Sequence, residues 1–219
     1  PLLRKPLRLH QLALKEKPWF EPGTDWAYSD LGYFLLGVIT ERVSGISWRE
    51  FMRRRIFAPV GMADTYMLDL WGIYKDEARA YTMRNGQLSN ARRDIQKETP
   101  SHYGIFSNVG DLAKLDAALY SDRLLNVASK REMWRLTRFP SGDFTYSLGW
   151  EVWSSRGHSA QFHGGSTGTE FLRLPKDGLA VIVLTNLGGG TRLGIAHNVA
   201  KMVLPSLKRP PLRPVPISR

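Results

Sequence analysis

The stretch that most constrains this chain runs from residue 22 to residue 37, where a turn signal leads directly into a helix. A Pro-Gly pair is followed by Tyr28, Ser29 and Asp30, and an apolar pattern with helical spacing begins at once. Gly45 is the predicted left-handed cap of this helix. The apolar positions recur at intervals of three and four, which predicts one stripe facing a core: Leu31, Phe34, Leu35, Val38, Ile39 and Val43.

Tyr28 would lie at the mouth of this helix, and a rigid element of that kind suits a catalytic phenol. A positive charge nearby would lower the pKa of the phenol into a useful range. The alternative is structural, because Tyr28 would then only pack while Ser29 or Asp30 caps the helix. On the triplet alone, the structural interpretation is favoured.

The composition is that of an ordinary globular domain. The chain has 219 residues, of which 42% are hydrophobic and 23% charged, enough for one domain with a real core. We assign residues 1–219 to that domain, with 1–21 as an amphipathic leader and 205–219 as a tail rich in proline and arginine. The absence of cysteine excludes disulfides and thiolate metal sites. We expect no cofactor and no metal, and a bacterial periplasmic or a cytoplasmic location both stay open.

The formal net charge of +11 raises nucleic acid or an anionic surface as a partner. The basic residues are scattered, however, over a helix around residues 53–55, the leader and the tail. No nucleic-acid-binding motif accompanies them. A solvated basic surface is the better interpretation, and we expect no specific nucleic-acid partner.

The second half of the chain changes its periodicity. Residues 66–104 are polar and rich in turn formers, which we interpret as an irregular surface excursion over a cleft. After Pro140 the pattern predicts strands over 147–153, 159–163, 170–174 and 179–186. The last is continuously apolar, which predicts a central strand buried on both faces. A closing helix is predicted over 191–207, with an inward stripe of Leu193, Ile195, Ala196, Val199 and Val203. Helices followed by antiparallel strands predict an α+β fold, with an antiparallel β-sheet flanked by helices.

The segment from Pro22-Gly23-Thr24 through Tyr-Ser-Asp to Gly-Tyr-x-Leu-Leu-Gly resembles the second motif of the serine β-lactamase and penicillin-binding-protein superfamily. The resemblance is closest to the class C β-lactamase and esterase-like branch. Residues 162–169, Phe-His-Gly-Gly-Ser-Thr-Gly-Thr, resemble its third motif in the His-x-Gly form. Segments 56–65 and 103–112 are also similar to the family, so the resemblance covers residues from about 20 to about 204.

The resemblance implies a β-lactamase/transpeptidase-like fold and acyl transfer through a serine ester, with a small-molecule acyl substrate. That substrate is a β-lactam, an ester or a D-amino-acid peptide. By resemblance, the catalytic residues are Tyr28, Ser29, Asp30 and His163. The resemblance also implies a substrate-binding segment whose backbone lines the acyl site, made of Gly164, Gly165, Ser166 and Thr167.

The first motif of the family, Ser-x-x-Lys, is missing, since no serine of this chain has a lysine three residues later. Ser89 has Arg92 at that spacing, and a guanidinium stays protonated and cannot act as a base. In the family the nucleophile lies well upstream of the tyrosine motif. By resemblance, the chain is therefore the C-terminal part of such an enzyme, incomplete at its N-terminal side, and we expect it to be inactive alone.

Two residues depart from the family pattern. Asp30 replaces an amide donor with a carboxylate that only accepts hydrogen bonds, and His163 replaces a permanent cation. Two functions stay open: a serine hydrolase without its nucleophile segment, and a catalytically silent binding module that keeps the cleft. We expect either the missing N-terminal segment or self-association through strand 179–186 to complete the sheet.

Overall fold

The computed structural model describes residues 17–69, 72–91, 101–137, 146–188 and 194–208, so most of the predicted leader and tail lie outside the described residues. The helices are α1 (Asp30–Ser44), α2 (Trp48–Met52), α3 (Ala58–Val60), α4 (Val109–Leu119), α5 (Val127–Met133) and α6 (Ile195–Val203). The strands are β1 (Tyr66–Met67), β2 (Tyr81–Arg84), β3 (Gln87–Asn90), β4 (Ile105–Phe106), β5 (Glu151–Ser155), β6 (His158–Gly164), β7 (Glu170–Leu174), β8 (Leu179–Val183) and β9 (Leu187–Gly188). A π-helical turn, Arg53–Phe57, joins α2 to α3.

The main sheet is antiparallel and has the strand order β5-β6-β7-β8. Phe162 on β6 lies opposite Leu172 on β7, which lies opposite Val181 on β8. The inward side chains of these strands pack with the alanines of α6 in one buried cluster: Ala160, Phe162, Leu172, Leu174, Ala196, Ala200 and Leu207. The predicted α+β fold, an antiparallel sheet flanked by helices, is confirmed.

The predicted central strand over 179–186 is instead an outer strand in the described part of the sheet. β8 ends at Val183, all five of its residues are half-buried, and among the described residues it pairs only with β7. Its continuous apolar pattern indicates that the strand packs against other elements, and it contacts both α6 and α4. That pattern carries no information about a neighbour in the plane of the sheet. The predicted central position and full burial are therefore wrong for the described residues, whereas the outer edge agrees with the expectation that this chain alone leaves the sheet incomplete.

Helix α1 and its cap are confirmed, since Gly45 has a φ of 72° at the end of the helix. The predicted buried stripe is wrong in part, because Ile39 and Val43 are 55% and 84% exposed. The buried face is centred instead on Gly37, where a Cβ would lie only 2.2 Å from Ser101 Oγ. Ser101 donates a hydrogen bond to the carbonyl oxygen of Tyr33 at 2.7 Å, so the absence of a side chain at Gly37 lets this segment approach the helix.

Residues 66–104 are more regular than predicted. β2 and β3 form a hairpin around Asn85 and Gly86, whose φ values of 50° and 77° suit a tight two-residue turn. β2 also pairs in parallel with β9, so the hairpin forms a second, three-stranded sheet with the segment that follows β8. The strands were missed because their residues are largely polar, so no apolar alternation marks them.

Helix α6 also presents a different face from the predicted one. Val199 and Val203 are 41% and 65% exposed, while Ala196 and Ala200 are fully buried against the sheet. Small side chains face the strands because the helix packs closely on them. The buried carboxylate of Glu170 accepts hydrogen bonds from the N–H groups of Gly194 and Ala196, at 2.6 and 2.7 Å, and so fixes the start of this helix. Leu193 lies outside the described residues.

Within the described residues the outer edge of β8 has no neighbouring strand, which predicts association of the isolated chain. Alternate amides of an outer strand have no partner in the sheet, and an apolar edge is a template for another strand. We expect residues 1–219, expressed alone, to self-associate in a concentration-dependent way in sedimentation experiments. Leu184→Lys, at the exposed end of this edge, is expected to weaken the association, because a charge opposes strand pairing.

Leu136→Lys is the matched control, since Leu136 is 54% exposed and lies outside the sheet. A cooperative monomer whose β8 amides are all protected from hydrogen exchange would contradict this prediction.

Candidate active site

Three of the predicted site residues lie where the chain enters α1. Ser29 is the N-cap, with an extended φ of −144°, and its Oγ accepts a hydrogen bond from the N–H of Gly32 at 2.9 Å. Asp30 is the first helical residue and is exposed. Tyr28 is half-buried just before the cap. The cap geometry holds these three side chains in a fixed relation to the helix axis.

The structure brings Tyr28 close to His163, although the two are far apart in the sequence. His163 is half-buried near the end of β6, and its ring centroid lies 6.4 Å from that of Tyr28. The second and third motifs therefore face each other across the junction between α1 and the sheet. Their catalytic roles stay a prediction.

The predicted substrate-binding segment, 164–167, forms a tight turn after β6. The N–H of Gly165 donates to the carbonyl oxygen of Thr169 at 2.8 Å, and Gly168 closes the turn with a φ of 76°. A Cβ at Gly165 would lie 2.3 Å from Thr169 Oγ1, so a side chain there would displace the Thr169 hydroxyl. The Thr167 carbonyl accepts a hydrogen bond from the Thr185 hydroxyl. Because the Gly165 N–H is already bonded, it is not available as an oxyanion donor in this arrangement.

Two aromatic residues that the sequence reasoning missed complete this site. Tyr146 Oη lies 2.9 Å from His163 Nε2. Trp26 stacks on Tyr146 with 5.2 Å between ring centroids and 2° between the ring planes. Tyr33, in the first turn of α1, also hydrogen-bonds the Tyr146 side chain. The only available signal was the density of aromatic residues beside the two motifs, which no spacing rule connects.

The pKa of Tyr28 is raised, whereas a nearby positive charge was expected to lower it. Burial, and then the charge of Asp30 and a hydrogen bond to it, raise the pKa of Tyr28 to about 12. Burial also raises the pKa of Tyr146 well above its ordinary value. The positive charge expected to lower the pKa of Tyr28 is therefore not supplied by the described residues. In this state Tyr28 is a hydrogen-bond donor rather than a base.

A second group of polar residues lies at the other end of β6. His158 Nδ1 is 2.9 Å from Asp177 Oδ1, and His158 Nε2 is 2.8 Å from Ser206 Oγ. The order of contacts is that of a serine hydrolase triad. The N–H of Leu207, next to the serine, is bonded to the carbonyl oxygen of Leu204 at 3.0 Å, so it cannot serve as an oxyanion donor. We interpret these contacts as a structural link between the start of β6, the turn between β7 and β8, and the segment after α6.

Two features are absent from the described residues. No group of three or more histidine, cysteine, aspartate or glutamate residues there is arranged to hold a metal ion. None of the described helices combines the length and apolar character needed to cross a bilayer.

Comparisons with known proteins identify the family and the fold of this chain. The family model described as Beta-lactamase matches residues 4–203. Penicillin-binding protein 4* of Bacillus subtilis (strain 168) is 29% identical over 186 residues, which cover 77% of this chain and 41% of that protein. The chain thus spans less than half the length of this relative.

Two solved structures have a similar fold. The octameric penicillin-binding protein homologue from Pyrococcus abyssi is 26% identical with a TM-score of 0.76, over 85% of this chain and 44% of that chain. The D-stereospecific amidohydrolase from Streptomyces sp. is 22% identical with a TM-score of 0.72, over 87% of this chain and 58% of that chain. The second likeness shows the fold alone.

Replacing Asp30 with asparagine is expected to lower the pKa of Tyr28 from about 12, because it removes a negative charge and a carboxylate acceptor. Burial remains as the largest cause, so we expect the pKa to stay above the ordinary value of 10.0. NMR titration of the tyrosine Cζ resonances measures the change.

Asp122→Asn is the control, because it removes the same charge from a surface pair with Lys130. An unchanged Tyr28 titration in Asp30→Asn would show that the carboxylate does not act on this phenol.

Proposed function

The chain belongs to the beta-lactamase family, a family of β-lactamase-fold hydrolases, and we propose that it forms the tyrosine and histidine side of a serine hydrolase active site. We propose that the nucleophilic serine and its lysine come from a segment outside this sequence. The substrate would be a small-molecule acyl compound, namely a β-lactam, an ester or a D-amino-acid peptide. Its carbonyl carbon would be attacked by the serine to give an acyl-enzyme, which water then hydrolyses.

The observation that carries this proposal is the convergence of Tyr28 and His163, whose ring centroids lie 6.4 Å apart. Each belongs to a separate family-like motif, and the fold brings both motifs to one junction. A reacting carbonyl held between them would have a phenol on one side and an imidazole on the other. Phenol and imidazole side chains can both act as general acids or bases in acyl-transfer reactions.

The raised pKa of Tyr28 supports the need for a further segment. At a pKa of about 12 the phenol keeps its proton at neutral pH. A lysine ammonium brought to within about 4–6 Å would favour the phenolate and lower this pKa. The lysine of a Ser-x-x-Lys motif would supply that charge together with the nucleophile.

We also propose that this further segment covers surfaces that the described residues leave open. The edge of β8 has a strand neighbour on one side only within the described residues. On α1, Leu36, Ile39 and Val43 lie on one face at helical spacing and are 53%, 55% and 84% exposed. The alternative is that a second copy of the chain covers the edge by pairing through residues 179–186. Sedimentation of the parent protein, compared with that of the isolated chain, distinguishes the two, because only the second alternative predicts that the parent protein also associates.

A binding module without catalysis is the second candidate. It is favoured by the absence of Ser-x-x-Lys from this sequence and by the raised pKa of Tyr28, which suits donation of a hydrogen bond. A Ser-x-x-Lys motif upstream of Pro1 in the parent reading frame would favour the hydrolase.

The chain alone is expected to form no stoichiometric covalent adduct with a fluorophosphonate or a penicillin, because it lacks the activated serine. Intact-mass measurement on the folded chain checks this. A parent protein that carries the upstream motif is expected to form one adduct, at that serine.

Ser206 is the position to examine first in the isolated chain, since its Oγ contacts His158. An adduct there, abolished in Ser206→Ala, would contradict the prediction. No adduct on the parent protein would favour the binding module.

The complete enzyme is expected to prefer neutral esters over β-lactams that carry a carboxylate, because Asp30 repels a second negative charge. Two charges at 4 Å interact by about 1 kcal/mol in water and more in a shielded cleft. We expect Asp30→Asn to shift the ratio of kcat/KM for nitrocefin to that for p-nitrophenyl butyrate toward nitrocefin by roughly three- to tenfold.

Asp122→Asn is again the matched control, because its charge lies outside the site. A wild-type enzyme that already turns over nitrocefin much faster than the ester would contradict the expected preference.

A further inference from the structure

Tyr146 is held in place from two sides. It lies just before β5, where it forms an isolated bridge to Glu151, and its ring is half-buried. The indole of Trp26 stacks on it in a nearly parallel arrangement, with 5.2 Å between centroids. Trp26 is itself positioned by its own backbone, because its N–H donates to Asp25 Oδ1 at 2.8 Å. A ring fixed in this way presents its hydroxyl in a defined direction.

The Tyr146 hydroxyl connects the two halves of the site. It lies 2.9 Å from His163 Nε2 on β6 and also hydrogen-bonds the side chain of Tyr33 on α1. The rings of Tyr146 and His163 are nearly perpendicular, at 72°, with centroids 6.1 Å apart. The three side chains thus form a chain of hydrogen bonds from the helix to the sheet.

We propose that Tyr146 is a positioning residue that sets the ring orientation and the tautomer of His163 by donating its hydroxyl proton to Nε2. The proposal rests on the proposed function, in which His163 faces the substrate. Of the acceptors in this chain of hydrogen bonds, the imidazole nitrogen is more basic than either phenol oxygen, so it takes the Tyr146 proton. With Nε2 accepting, the neutral His163 ring carries its own proton on Nδ1.

Burial supports this role, because it raises the pKa of Tyr146 and keeps the phenol protonated over the working range of pH. A phenol that keeps its proton is a permanent donor. The Tyr146 hydroxyl therefore makes Nε2 the acceptor nitrogen of His163 without changing the charge of the site.

The test is long-range ¹H–¹⁵N correlation NMR of the His163 ring in the full chain of 219 residues. We expect one tautomer, with the proton on Nδ1. We expect Tyr146→Phe, which keeps the ring and its stacking on Trp26 but removes Oη, to shift His163 toward the form protonated on Nε2. An Nε2–H form in the wild-type chain would overturn the proposal without any variant.

Tyr74→Phe is the matched control. Tyr74 also stacks on an aromatic ring, that of Tyr66, and its Oη accepts one hydrogen bond from the N–H of Asp69 at 2.8 Å. This variant therefore loses one hydrogen bond and keeps its ring, and we expect the His163 tautomer to be unchanged. If Tyr146→Phe leaves the tautomer as unchanged as Tyr74→Phe does, Tyr146 does not position His163.

A second readout separates this proposal from the proposed function. In a catalytically competent parent protein, we expect Tyr146→Phe to lower kcat on the order of tenfold with little change in KM, since the hydrogen bond orients a proton-transferring group. An inactive parent protein with the predicted tautomer would overturn the proposed hydrolase function alone. An active one in which Tyr146→Phe changes KM only would overturn the positioning role.

Discussion

The buried guanidinium of Arg173 on β7 is the interaction on which the arrangement of helices and sheet depends. This residue is 1% exposed, and its charge is matched by the carboxylate of Asp116 on α4. Its Nη1 donates to Gln161 Oε1 at 2.6 Å, and the guanidinium lies over the rings of Tyr120 and Trp134. A charge buried this deeply is tolerated only with partners in good geometry, so α4 and β6 are fixed relative to β7. The strand that carries the histidine of the site is thereby fixed as well.

Local signals in the sequence predicted the start and the end of α1, because Ser29 and Gly45 act through the backbone beside them. The face that α1 buries was not predictable in the same way. It is centred on Gly37, because Ser101, distant in sequence, packs on that glycine. The burial of β8 was overestimated for a related reason, since its apolar residues do not show which strand lies beside it, although its edge was expected to need a further partner.

The residues of the site also fall into two groups, those that motifs in the sequence predict and those that only the folded chain reveals. Tyr28 and His163 could be selected from motifs, and the fold places their rings together. Tyr146 and Trp26 belong to neither motif, and only the folded chain shows that they stack and that one of them contacts the histidine. The direction of the pKa shift at Tyr28 also required the structure, because burial is its largest cause and burial is a property of the packed molecule.

The π-helical turn Arg53–Phe57 contains one residue more than a continuous α-helix between the same ends would hold. Removing one of its arginines would therefore let a regular α-helix run between the same two ends, and the segments on either side would keep their orientation. Val60 and Met62, which are 6% and 3% exposed, would stay in the core that they share with Met67. The turn thus takes up one extra residue within the helix itself, whereas elsewhere on the surface, as at the exposed hairpin tip at 85–86, it is a loop that accepts an insertion.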